Sequence, residues 1–158
     1  MTDLTLAALS IARRTAALAF FAGNRIEDVS IHHLPTNISK AAHSLAGFLN
    51  STFEPHHIAF MALESPLVGC SERATALHAI AVDTIREAGI PMVEVPTHEL
   101  LSSYGVPALR RREQLRLSAQ SIWPSLNNPG ATHTAQDAAV LGLHVQVERF
   151  FTLCEAVR

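Results

Sequence analysis

Two kinds of residue in this chain are placed to do chemistry: a carboxylate at the end of an apolar run and a cluster of arginines. Glu64 closes the run Ile58-Ala59-Phe60-Met61-Ala62-Leu63, which is apolar on both alternating faces and of strand length. Such a strand is covered by helices on both sides, and open α/β sheets carry ligands and chemistry just beyond the carboxyl ends of their strands. The plainer reading of Glu64 is a surface acid at a burial boundary. The basic charge is nearly all arginine, since Lys40 is the only lysine, and Arg110, Arg111, Arg112 and Arg116 crowd together. Arginine grips phosphate through a bidentate fork, although a solvated helix start has the same composition.

Other chemistries lack their patterns. None of the nine histidines shows a zinc spacing with a third ligand. His32 and His33 are strand neighbours, which point to opposite faces and cannot share an ion. No G-x-S-x-G elbow surrounds Ser10, and no glycine-rich phosphate loop is present, which sets aside a serine hydrolase and a nucleotide-dependent enzyme.

The elements that must position these groups follow from periodicity and punctuation. Leu4–Ile11 and Thr15–Phe21 are apolar segments joined by Ala12-Arg13-Arg14, a hairpin pattern, and Ile26–Leu34 adds a third strand stopped by Pro35. Asn37 caps a helix whose apolar residues Ile38, Ala41, Ala42, Leu45, Phe48 and Leu49 share one face, with Phe53-Glu54-Pro55 expected to end it. The strand Ile58–Glu64 follows, then a helix from about Ser71 to Ala88 stopped by Gly89, then a fifth strand at Met92–Val95. Thr97 is expected to cap a short helix to Tyr104. Helices then span Arg110–Trp123 and about Thr134 to Val157, the last with Asp137 in its first turn.

Composition sets the frame. The chain has 158 residues, 48% hydrophobic and 16% charged, which predicts one folded domain over residues 1–158. A net charge of −2 gives no global attraction to nucleic acid or membrane, so any such contact must come from local clusters. Cys70 and Cys154 make no disulfide framework, and Arg13-Arg14 split the apolar start, so the expectation is a cytoplasmic protein with no membrane segment.

The order βββαβα followed by a fifth strand and closing helices, with these strand ends, resembles the RuvC family of Holliday-junction resolvases in the RNase H-like superfamily. The clearest match begins at Ile58 and continues through Gly89-Ile90-Pro91-Met92-Val93-Glu94-Val95-Pro96 and Asp137-Ala138-Ala139. The resemblance implies an α/β, RNase H-like mixed five-stranded sheet, three antiparallel strands followed by two parallel ones. It also implies two Mg2+ ions held by acidic side chains, DNA as partner and a homodimer. Carried over position by position, Glu64 matches the acid ending the fourth strand and Asp137 the acid of the final helix. The first-strand aspartate falls on Ser10-Ile11-Ala12, and the other final-helix ligand falls on Thr134. Some members use histidine there, and His133 lies one turn before Asp137, on the same helical side. Leu67 stands about where some relatives carry a base-stacking aromatic, Leu100-Leu101 where basic residues are expected, and Arg112 near the place of a family lysine.

The resemblance therefore implies Glu64, Asp137, His133 and Ser10 as candidate catalytic residues, the first three as metal ligands. Arg13, Arg14, Arg110, Arg111, Arg112 and Arg116 are the candidate nucleic-acid contacts. Two carboxylates supply two negative charges where two Mg2+ ions bring four positive ones. The leading expectation is a DNA-binding protein, of branched DNA, with a degenerate and inactive nuclease site. The alternatives are an active Mg2+-dependent, structure-specific endodeoxyribonuclease with an altered site, and a protein-interaction module on the same fold.

Overall fold

A computed structural model describes residues 5–23, 25–66, 69–102, 111–127 and 132–156. Arg110 and Leu67 lie outside the described residues, and Arg111 and Arg112 are described in backbone only. One sheet runs β3-β2-β1-β4-β5, built from β1 (Thr5–Ile11), β2 (Thr15–Ala22), β3 (Arg25–His33), β4 (Ile58–Ser65) and β5 (Met92–Pro96). β1, β2 and β3 pair antiparallel, whereas β4 pairs parallel to β1 and β5 parallel to β4. This is the expected mixed sheet.

Strand alternation divides the core into two layers. Ala7 and Leu9 of β1, Leu18 and Phe20 of β2, and Met61 and Leu63 of β4 face α1 (Ile38–His56) and α2 (Glu72–Glu87). Leu6 and Ala8, Ala17, Ala19 and Phe21, and Ala62 face α4 (Arg111–Ile122) and α5 (His133–Ala156). Because both faces are covered, β1, β2 and β4 read as continuous apolar runs. A short α3 (Thr97–Ser102) follows β5, and one turn of 3-10 helix at Pro124–Asn127, unforeseen in the sequence, links α4 towards α5.

One local expectation shifts. Pro55 does not end α1 but lies inside its last turn, and the chain leaves the helix at His57 in the left-handed region, φ 45°. A proline this late removes one backbone donor without breaking the preceding turns. His56, the last residue of α1, stacks on Phe20 with ring centroids 3.8 Å apart. The strand reading of His32 and His33 holds: His32 bonds Ser44 Oγ at 2.6 Å beneath Phe48, while its neighbour is exposed.

α5 approaches the sheet most closely at Gly142, where an added Cβ would run into the Phe21 ring, with Cδ2 at 3.1 Å and nearer ring atoms beyond it. Phe21 is fully buried and meets Trp123 edge-on, so it has nowhere to retreat. Gly142→Val is expected to cost about 1–3 kcal/mol through overpacking. Urea denaturation checks this; an unchanged midpoint would contradict the close approach.

Candidate functional site at the carboxyl edge of the sheet

The residues singled out in the sequence meet at one end of the sheet and on one of its faces. Leu9 pairs with Leu63, so Ser10 and Glu64 stand one step further along adjacent parallel strands. Both alternate onto the α5 side, with strand axes about 4.8 Å apart. Thr15 of β2 faces the same way, and its hydroxyl lies 2.5 Å from that of Thr134 in the first turn of α5. Asp137 follows one turn later, on the same side of the helix as Thr134. Ser10, Thr134 and Asp137 are buried, at 4%, 4% and 8% exposure, whereas Thr15 and Glu64 are partly exposed.

Asp137 is engaged. Arg116 of α4 donates from Nε to Oδ1 at 2.8 Å and from Nη2 to Oδ2 at 2.9 Å, a bidentate pair that occupies both carboxylate oxygens. Such forks are short, charge-assisted and geometrically fixed. Arg116, expected among the DNA contacts, is thus turned inward. The signal that could have shown this is its place beside Leu115 and one turn from Ala119, at the border of the buried stripe of α4.

Glu64 is also held. Thr97 Oγ1 lies 2.9 Å from Glu64 Oε1 and 2.9 Å from the Ser65 carbonyl, so its single proton is shared between the two acceptors. Thr97 was expected to cap α3. It is instead the first residue of that helix, and its hydroxyl ties β4 to the end of β5. His133 begins α5 with its side chain exposed, apart from the buried Thr134 and Asp137.

A divalent metal pair does not fit this arrangement. Ser10 and Thr134 present neutral hydroxyls, Asp137 is spent on a guanidinium, and no group of three His, Cys, Asp or Glu side chains among the described residues could hold a metal ion. Two Mg2+ ions would bring four positive charges to two carboxylates, one of which is already paired with Arg116.

The rim around the site is basic. Arg13 and Arg14 are exposed on the β1–β2 turn, and Lys40 is exposed in the first turn of α1. Arg73 of α2, which the sequence did not single out, fastens this rim. Its guanidinium donates to the carbonyls of Arg13 at 2.9 Å, Thr36 at 2.8 Å and Pro35 at 2.7 Å. A cation in the first turn of a helix opposes the macrodipole, and that anomaly was the available clue. The N-termini of α1, α2 and α5 lie at the same edge, capped by Asn37, Ser71 and Thr132. Their partial positive charges add to the arginines.

This strand order, helix placement and site edge can be set beside known structures. RuvC of Thermus thermophilus superposes with a TM-score of 0.73 at 14% identity, covering 94% of this chain and 98% of that one. The chain has a RuvC-like, RNase H-like fold. T. thermophilus RuvC in complex with a Holliday junction substrate gives a TM-score of 0.71 at 12% identity, covering 93% and 96%. The fowlpox virus resolvase in complex with Holliday junction DNA gives 0.61 at 11%, covering 92% and 98%. No protein-family model matches the chain, and no curated protein matches it in sequence. No helix among the described residues is long and apolar enough to cross a membrane.

Proposed function

We propose that the protein binds branched DNA of the four-way-junction kind and does not cut it. The observation that carries the reading is a RuvC-like carboxyl edge that keeps a basic rim while its acidic centre is reduced to Glu64 and an Asp137 already paired with Arg116. Structures of the same fold are described as complexes with Holliday junction DNA, which supports a junction as the substrate class. A net charge of −2 does not oppose this, because phosphate is met by the local rim of Arg13, Arg14 and Lys40 and by three helix N-termini. Arg111 and Arg112 at the start of α4, with Arg110 before them in the sequence, complete the proposed contact set. Two copies related by a two-fold axis would present two such edges to the strands exchanged in a junction, so the reading includes a homodimer, which its mass in solution checks.

A gel-shift series with a fixed junction and with linear duplex across salt tests the binding. The expected result is a preference for the junction and affinity that falls steeply with salt. No shift, or a shift indifferent to salt, would overturn it.

A further inference from the structure

The geometry points to Arg116 as a resident counter-ion that closes the site to divalent cations and takes over the charge balance a metal would provide. This deepens the non-cutting reading above and rests on it, while making no use of DNA binding.

Three observations support the inference. The first is occupancy: both oxygens of Asp137 are bonded to one guanidinium, so an incoming cation would have to displace a bidentate pair. A guanidinium does not leave by losing its proton at any ordinary pH. The second is charge. Glu64 and Asp137 sum to two negative charges and Arg116 returns one, while the hydroxyls of Ser10, Thr15 and Thr134 add none. A dication arriving there meets a fixed positive charge within a few ångströms of its best ligand. The third is rigidity. Thr134 is bonded to Thr15, Glu64 accepts from Thr97, and Asp137 is 8% exposed, so these side chains already have partners. A hydrated dication would have to break these bonds as well as the Arg116 fork.

The inference separates a loss of acids from a replacement of function. Merely losing acids would leave a weak metal site. An arginine wedged onto the remaining aspartate makes a site that is complete without one.

Mn2+ titration of the DNA-free protein, followed by the free-ion electron paramagnetic resonance signal, tests it. The wild type is expected to leave the signal as it is in buffer. Arg116→Gln, which removes the charge and keeps a short polar side chain, is expected to gain Mn2+ affinity by about tenfold or more. Adding Asp137→Asn should abolish that gain. Mn2+ binding by the wild type that Asp137→Asn removes would overturn the inference, as would a folded Arg116→Gln that binds no more than the wild type. If Arg116→Gln fails to fold, the comparison of wild type with Asp137→Asn still decides. A separate gel-shift in chelator keeps failure of the DNA-binding reading distinct from failure of this one.

Discussion

Arg116→Met should lower stability by about 2–4 kcal/mol, because it leaves the Asp137 carboxylate largely desolvated without its guanidinium. The side chains of the pair are 22% and 11% exposed, which places the loss towards the lower part of the range for fully buried pairs. The pair also joins α4 to α5, so its loss loosens the helix that carries Leu115 and Ala119 into the core. Replacing both partners, Arg116→Met with Asp137→Leu, should bring stability back to within about 1 kcal/mol of the wild type, since an apolar pair carries no desolvation penalty. Urea denaturation of the wild type and of the single and double variants measures this. A single variant as stable as the wild type, or a double variant no better than the single, would show that the pair does not act as an inward ion pair.

The second large effect concerns the rim. Replacing Arg13 and Arg14 together with alanine should weaken junction binding by about tenfold to a hundredfold and make the log–log salt slope shallower by roughly two units, as expected for two lost phosphate contacts. Both side chains are exposed on a turn whose backbone is held by Arg73 and by the Ala12 N–H to Thr15 carbonyl bond of 2.8 Å. Their removal should therefore leave the fold intact, which circular dichroism verifies. An affinity drop with an unchanged salt slope would point to a structural effect and away from phosphate contact.

The sequence made the sheet legible because each inner strand had its own unambiguous cue. The hairpin showed in two apolar runs around Ala12-Arg13-Arg14, and β4 showed in an apolar run closed by Glu64. Gly142 was visible as a helical glycine, but its contact with Phe21 required the α5-to-β2 approach. Glu64 at the sheet edge followed from strand direction, whereas Ser10 and Asp137 were implied at the same site only by the family resemblance. Their partners followed from neither. Arg116 and Asp137 are 21 residues apart on different helices, and only the packing of α4 against α5 brings them together. Arg73 meets Arg13 across 60 residues, and Thr97 meets Glu64 across 33. Local pattern locates a charged group on its own element, whereas the partner that neutralises it is set by how elements dock.

The carboxyl edge is proposed to receive branched DNA and to leave it whole. A gel-shift on a labelled four-way junction in Mn2+, with the bound DNA recovered and run under denaturing conditions, tests both halves at once. A shifted junction whose strands are all of full length is expected, for the wild type and for Glu64→Gln alike. Strand cuts by the wild type that vanish in Glu64→Gln would contradict it, and so would a junction that never shifts.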